Sequence, residues 1–590
     1  MQYKLISPIV KNSTLEQIFY NRGFNNIEDI EHYLNTTDED IIDPKVITNI
    51  EDGAKMLIKH IAENHDVLLQ IDSDADGFTS SAILMNYLNC LFPSFVQNHI
   101  RYWVHDSKAH GIDEMGVSDT VKLVIAPDSS SNEYDKHKEL AEKGIDVLVI
   151  DHHNAPEVSP YACVINNQLC DYDNKDLSGA GMVYKFCCYI DSLLGTDYAN
   201  QYLDLASLGV ISDVMDLRHF ETKQMITQGL KNIRNPFIKL VIDNDERYFP
   251  KGKPISIKSV AWSIGPLVNA VTRIGTIEEK LLLFESMLEY MAYEQIPSTK
   301  RGCKGQTETR VEQSARTCKN VKSRQDKSRD NLVAQVERRI EEDDLLGNKV
   351  LTIRLGETSA LTKNITGLVA NKIMSKYQRP VLLLSRVEEL QEDGSMSVSW
   401  AGSGRNYPVD ELPSLQDFLL ESELVNYAQG HKNALGVSIP YDNYHDFVDY
   451  ANEKLKDVKF EMKHDVDYIY DMTNNYNIQD IGNDISSLAA MKHIWGQGIQ
   501  EPVLAFKGLK LTPANLQLMG TKKNTWKITT NGSLGFIKFN SSEEEFEDLL
   551  EPYGHVVVDI VGTCEINDWN NSPQINIIDY NIISRQKYDF

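Results

Sequence analysis

Val67-Leu-Leu-Gln-Ile71 runs directly into Asp72-Ser-Asp74-Ala-Asp76-Gly77, and that junction decides how the chain is read. The apolar run predicts a strand buried on both faces, as in a parallel sheet. Three carboxylates follow at alternate positions. On an extended segment alternate side chains share one side, so the three converge. Like charges at close range raise one another's pKa. A cation relieves them, and hard oxygen ligands favour Mg2+ or Mn2+. A calcium loop opens with the same Asp-x-Asp-x-Asp-Gly spelling. Here, however, the twelfth position counted from Asp72 is Ile83 rather than Glu, and a strand precedes where such a loop needs a helix.

The pattern repeats downstream. Lys122-Leu-Val-Ile-Ala126 precedes Asp128, and Val147-Leu-Val-Ile150 precedes Asp151-His152-His153. Leu208-Gly-Val-Ile-Ser leads into Asp213. A single Asp after a strand is ordinarily a helix cap. Four strand ends that each deliver carboxylate or imidazole to one edge are a different matter, because ligands of open α/β sheets sit at the carboxyl ends of the strands. Five Asp and two His beside Asp151 suffice for two ions sharing a carboxylate. Two ions about 3.5–4 Å apart suit in-line attack on a phosphodiester.

The rest of the chain divides around this core. Residues 1–60 show helical spacing (Leu15, Ile18, Phe19, Phe24) and read as a small helical cap. Residues 61–294 form the parallel-sheet domain. Residues 295–346 lose apolar content and end in the helical Leu332–Ile340, a charged linker. A second α/β pattern covers 347–456. The segment 457–590 holds short alternating strands such as Leu534–Phe539 and His555–Ile560, a β-barrel of the OB type. The expected class is therefore α/β: two α/β domains joined by a long helical linker, then an OB-like barrel.

Among 590 residues, 42% are hydrophobic and 25% charged, as in an ordinary globular protein. The formal charge of −27 argues against nucleic-acid binding. Between Lys300 and Arg329, however, ten Lys or Arg face only Glu308, Glu312 and Asp326. That stretch is either an electrostatic footprint or a solvated linker face. Eight cysteines include no C-x-x-C pair and read as reduced thiols. The N-terminus has no apolar signal core, and no apolar run approaches the roughly 18–20 residues of a membrane span. A cytoplasmic protein is expected.

In order, Asp-x-Asp-x-Asp-Gly, a strand-end Asp, Asp-His-His and a Gly-x-x-x-Asp resemble the four motifs of the DHH phosphoesterases. Further segments resemble the RecJ branch: Lys108-Ala-His-Gly111, Gly265-Pro-Leu-Val-Asn-Ala-Val-Thr-Arg273 and Trp495-Gly-Gln-Gly-Ile-Gln-Glu-Pro502. Gly402-Ser-Gly-Arg405 and Gly430-His-Lys-Asn-Ala-Leu-Gly436 resemble the phosphate-binding signatures of the DHH-associated domain. Ile365–Ile373 with Arg379-Pro380 resembles the helix and strand between domains in that family.

The resemblance implies roles. Asp72, Asp74, Asp76, Asp128, His152 and Asp213 would hold two Mn2+ or Mg2+ ions, with the direct ligands of the first trio left open. His153 would touch the scissile phosphate or support the ligands, and Asp151 would orient the His pair. Asn269 and Arg273 would contact the backbone near the cut. Ser403, Arg405 and His431 would hold a DNA phosphate, at the 5′ end. In the C-terminal region Trp526, Phe536, Phe539 and Trp569, near Lys522, Lys523, Lys527 and Lys538, are stacking candidates for single-stranded DNA. Opposite parity allows at most one of Phe536 and Phe539 to point inward. The sequence also departs from the pattern: Gln70, Asn364 and Gln429 stand where His, His and Gly are usual, and Leu267 and Thr272 replace an Arg and a Gly.

The expected function is a metal-dependent 5′-to-3′ exonuclease that degrades single-stranded DNA to mononucleotides in repair, recombination or replication. Cooperation with a single-strand-binding protein or helicase suits the family but has no assigned residue. The alternatives are a phosphodiesterase for oligonucleotides or cyclic dinucleotides and a catalytically inactive replication scaffold.

Overall fold

The structure, a computed structural model, describes residues 1–106, 109–356, 365–390, 395–461, 463–473, 477–530, 534–567 and 569–587. Lys108 and Asn364, singled out above, lie outside the described residues. The chain forms two compact units. One holds residues 5–319 and 465–590, and the other holds residues 1–4 and 320–464.

In the first unit, five parallel strands lie in the order Ile100–Val104, Asp66–Ile71, Val121–Pro127, Asp146–Asp151, Cys163–Asn166. Their apolar runs are buried, as the absence of alternation predicted. The helices Ala75–Leu91, Gly179–Leu194 and Ile50–Ala62 cover one face, and Tyr134–Glu142 covers the other. Ala75–Leu91 is buried without interruption from Ala75 to Leu88. A helix surrounded on all sides carries no amphipathic stripe, so its sequence reads apolar throughout.

The N-terminal helices Thr14–Asn21 and Ile27–Leu34 pack within the same unit, against its C-terminal portion. Phe19 meets Trp495 with ring centroids 5.9 Å apart. Arg22 forms a buried ion pair with Asp467, and its guanidinium also donates to the Gln500 carbonyl at 2.9 Å. The C-terminal sheet has seven strands in the order Tyr468–Asp471, Val503–Leu511, Gly554–Ile566, Pro573–Lys587, Gly535–Phe539, Thr525–Thr529, Leu516–Met519. Bulges between Phe506 and Leu509, Val557 and Val558, and Val561 and Gly562 bend the long strands.

In the second unit the strand order is Tyr427–His431, Ala434–Pro440, Met396–Arg405, Val381–Leu390, Leu351–Leu355, with only the last pair parallel. Leu415–Glu421 and Tyr444–Lys454 pack on one face, through Phe418, Leu419, Tyr444 and Phe447. Thr366–Tyr377 packs against Met396–Arg405 and Val381–Leu390.

The charged stretch 295–346 contains the long helix expected of it and a strand pair besides. A short antiparallel pair, Gln295–Pro297 with Thr307–Thr309, leads into a 33-residue helix, Arg310–Glu342. Five basic residues of the stretch sit in ion pairs: Lys300 and Arg316 on Glu308, Arg310 on Glu285 and Glu294, and Lys322 and Arg329 on Asp326. Those pairs weaken the stretch as an electrostatic footprint. Among the described residues no helix is long and apolar enough to cross a membrane. All eight cysteines are free.

Candidate metal centre

The strand order fixes where a site can form. The chain leaves Asp66–Ile71 to build the strand on one side, Ile100–Val104, and returns to build Val121–Pro127 on the other. The loops at that reversal diverge and leave a crevice beyond the strand ends. Asp72 and Asp74 follow the first of these strands and Asp128 follows the third, and the three offer oxygens within 4.8 Å of one another.

The trio of the first motif does not stay extended, as alternation predicted. Asp74 caps a helix: its Oδ1 accepts from the amides of Asp76 and Gly77, both at 3.0 Å. Asp76 therefore lies in the first helical turn and turns away from Asp72. Its carboxylate meets the N-terminus of another helix, Gly179–Leu194. There it accepts from the Gly179 amide at 2.6 Å, the Ser178 hydroxyl at 2.8 Å and the Ala180 amide at 3.1 Å. Asp76 groups with His152 and Asp213 instead.

Asp213 also departs from expectation. It closes the helix Leu203–Ser212, not a strand. That helix is buried from Asp204 to Ile211, so its apolar run shows no period to distinguish it from a strand.

His152 joins the two carboxylate groups. Its Nε2 lies 3.2 Å from Asp128 Oδ1, 3.5 Å from Asp213 Oδ2 and 3.8 Å from Asp76 Oδ2. Asp128 Oδ1 and His152 Nε2 are both buried, and neither makes a hydrogen bond. Leaving a buried polar atom unsatisfied costs about 1–3 kcal/mol. Two of them, converging with the carboxylates of Asp72, Asp74, Asp76 and Asp213, form a donor set that a hard divalent cation satisfies. The residues present thus fit a metal. With protein alone around them, burial and the neighbouring carboxylates push Asp128 well above the usual range and Asp213 up to about 8. Burial pushes the His152 imidazole down, which keeps it in the neutral form that binds cations. Close packing seals the set: a Cβ on Gly179 would lie 2.4 Å from Asp128 Cβ, and one on Gly209 would lie 2.2 Å from Asp76 Oδ1. Asp128 itself holds a left-handed backbone, φ 63°.

Asp151 does not stand among unsatisfied atoms. Its Oδ1 accepts from the His152 amide at 2.7 Å, the His153 amide at 3.2 Å and His153 Nδ1 at 2.8 Å, and its Oδ2 accepts from the Ser131 amide at 3.1 Å. Burial raises its pKa, but the partners outweigh that and the net direction is down. The same hydrogen bond pushes His153 up to about 9 and fixes its ring, which is more than half exposed. Asn166 holds the His153 carbonyl at 2.9 Å.

Asn269 and Arg273 lie on the helix Gly265–Ile274 at the edge of the first motif. Asn269 Oδ1 accepts from the Ala75 amide at 3.2 Å. Burial lowers the Arg273 pKa, opposed by the Asp74 charge. Gln70 is turned away from the carboxylates. Its amide contacts the Trp103 carbonyl and His105 Nε2, and its Oε1 accepts from the Asp113 amide at 3.1 Å. His110 Nδ1 lies 2.6 Å from Asp72 Oδ2, and the Gly111 amide donates to the same carboxylate at 3.2 Å. The sequence reading gave no role to Ser178, Gly179, Ala180, Ser131, Asn166 or His110. Ser178-Gly-Ala-Gly181 was a visible helix start, but nothing in it named its carboxylate.

In the second unit, Arg405 pairs across the sheet with Ala434, and Ala434 with His431; Ser403 pairs with Gly436, and Gly436 with Gln429. Cross-strand partners share a face, so Ser403, Arg405, Gln429 and His431 flank a lane of two small residues. Ser403 Oγ lies 2.9 Å from Thr366 Oγ1, at the first turn of Thr366–Tyr377. A Cβ on Gly367 would lie 2.5 Å from the Arg405 guanidinium. A helix N-terminus, an arginine fork and a hydroxyl thus meet on one face, an arrangement suited to a phosphate.

The stacking candidates divide. Trp526 is 0% exposed and packs edge-on against Tyr580, so it fills the core and offers no surface to a base. Phe536 is also buried, Phe539 is half exposed, and Trp569 is 98% exposed.

Comparison with known proteins bears on the whole chain. Residues 66–210 match the family model of the DHH family N-terminal domain, and residues 475–579 match that of the RecJ OB domain. A putative single-strand DNA-specific exonuclease of Bacillus phage SPbeta is 34% identical, over 100% of this chain and 99% of the relative. The RecJ single-stranded-DNA-specific exonuclease of Bacillus subtilis is 23% identical over 99% of this chain and 69% of the relative. The Mn2+-bound RecJ of Thermus thermophilus superposes with a TM-score of 0.69 at 18% identity, covering 96% of this chain and 76% of that one. The Mg2+-bound form gives 0.64 at 17% identity, covering 98% and 75%.

Proposed function

This chain belongs to the DHH family, to its RecJ-like single-strand-DNA-specific exonucleases, and from that membership we propose that it hydrolyses single-stranded DNA from the 5′ end to mononucleotides with two Mn2+ or Mg2+ ions. The observation that carries the proposal is the convergence of donor groups on two buried, unsatisfied atoms, Asp128 Oδ1 and His152 Nε2.

Asp74, Asp76, Asp128, His152 and Asp213 would hold the ions, with Asp72 completing the set beside Asp74. Bound divalent ions supply Lewis acidity: they acidify water and neutralise charge on phosphate oxygens. The remaining work falls to the chain. Ser178, Gly179 and Ala180 hold the Asp76 carboxylate in place. Asp151 locks the orientation of His153, which would donate to the scissile phosphate. Asn269 pins the first motif through the Ala75 amide, and Arg273 adds a cation for the backbone near the cut. Ser403, Arg405 and His431 would grip the 5′ phosphate, and exposed Trp569 would stack a base farther along the strand.

The test is digestion of single-stranded DNA labelled at either end, with Mn2+ or with EDTA, comparing wild type with Asp128→Ala and His152→Ala. Immediate release of a 5′-labelled mononucleotide, lost in both variants and in EDTA, is expected. Hydrolysis confined to di- and trinucleotides would replace the proposal with a small-substrate phosphodiesterase. Binding without hydrolysis would replace it with an inactive scaffold.

A further inference from the structure

Trp262 is 65% exposed although it lies in the middle of a folded helical segment. The segment Val260–Ile264 is a π-helical turn running directly into Gly265–Ile274. Such turns are rare and are frequently found at functional sites. Along the combined helix Val260, Ser263, Ile264, Val268, Val271 and Thr272 are buried, Pro266, Leu267, Asn269 and Arg273 are half-buried, and Trp262 is exposed. Steps of three and four residues place Pro266, Asn269 and Arg273 on one stripe of the α-helix, and Trp262 stands on the π turn at its N-terminal end.

Both ends of this helical segment are tied to the metal centre. At its C-terminal half, Asn269 accepts from the Ala75 amide and Arg273 feels the Asp74 charge. At its N-terminal half, a Cβ on Gly265 would lie 3.1 Å from Ser212 Oγ, and Ser212 immediately precedes Asp213. The π turn packs against the helix Leu203–Ser212 that ends there. Val214, next in the chain, is 62% exposed with a left-handed backbone, φ 60°. Trp262 thus stands about 10 Å along the helix from Asn269, beside the segment carrying Asp213, with its indole open to solvent. Arg273 is the charged residue of this set, and Leu267, next to Pro266, stands where the resemblance calls for Arg.

We propose that Trp262 is a stacking platform for a nucleobase of the strand one or two nucleotides from the scissile phosphate, gripping it by its π-face where a phosphate-binding arginine is missing. The inference rests on the single-stranded DNA reading above. Stacking is tolerant of base identity, so this contact adds affinity without sequence preference. Being uncharged, it also leaves the salt dependence of binding unchanged, whereas each phosphate contact steepens it.

The experiment measures the affinity of 12-mer oligo(dT) in EDTA by fluorescence anisotropy over a range of salt, for wild type, Trp262→Ala and Trp262→Phe. It is repeated with oligomers carrying one abasic site at each position in turn. Trp262→Ala is expected to weaken binding about tenfold with an unchanged salt slope, and Trp262→Phe to restore most of it. In wild type one abasic position near the 5′ end should cost a similar factor, and Trp262→Ala should be indifferent to that position alone. Equal affinities and identical abasic profiles for wild type and Trp262→Ala, with cleavage of single strands intact, would overturn this inference and leave the function standing. Absence of binding and cleavage in the wild type would overturn both.

Discussion

Gly179→Ala should damage the metal centre far more than it damages the fold. The added Cβ would lie 2.4 Å from Asp128 Cβ and 2.5 Å from its Oδ1, about 1 Å short of the closest ordinary contact. Asp128 cannot yield easily, because its backbone sits at φ 63° and its amide donates to the Ile150 carbonyl at 2.8 Å. Overpacking of this kind costs about 1–3 kcal/mol, offset by up to about 1 kcal/mol from replacing a helical glycine. A net loss of about 1–2 kcal/mol is expected. A displacement of about 1 Å at a reacting centre costs about 100-fold in rate. Gly181→Ala, two residues on, meets only the Leu177 side chain at 3.3 Å and serves as the control. The assay is single-turnover cleavage of a 5′-labelled strand across an Mn2+ titration, beside calorimetric melting. Gly179→Ala with wild-type rate and metal dependence, or a loss shared equally by Gly181→Ala, would refute the packing argument.

Asp151→Asn leaves one accepting oxygen and no charge where a carboxylate holds three amides and the His153 ring, and should lower the rate or the apparent Mn2+ affinity about 10–100-fold while circular dichroism remains native. Trp526→Ala should cost about 3–5 kcal/mol in urea unfolding, whereas Trp569→Ala should leave the unfolding midpoint in place and weaken oligonucleotide binding alone. Arg405→Ala should raise KM for 5′-phosphorylated strands, reduce the preference over 5′-hydroxyl ends, and lower the salt slope of binding by about one ion.

The parts of the site that sequence reveals are those where side-chain chemistry coincides with an abrupt change of pattern. Asp72, Asp128 and Asp151 each end an apolar run with no alternation, and a buried parallel strand is the natural source of such a run. Asp213 ends one too, but there the run is a helix, because complete burial erases the period that separates the two. Asp76 was legible as a carboxylate but not as the partner of a second helix, since its donors are largely backbone amides that any sequence carries. Gln70 stood out as a departure, and only the fold shows its amide committed to the 105–113 loop. Trp526 and Trp569 are equivalent in composition; one lies within a strand facing the core and the other on a turn between strands.

The pairing of Arg22 with Asp467, and of Phe19 with Trp495, has a consequence for how the molecule is made. The larger unit is interrupted in the chain by residues 320–464 of the smaller one. During synthesis the N-terminal half must wait, with Arg22 lacking Asp467 and Phe19 lacking Trp495, until that insert has emerged and the last segment arrives. A fragment ending before residue 465 never receives its partner and leaves in water the apolar and ionic surface that the last segment covers. The catalytic half is therefore a poor candidate for expression in isolation. A single protease cut inside the insert, by contrast, could leave its two flanking segments bound to each other.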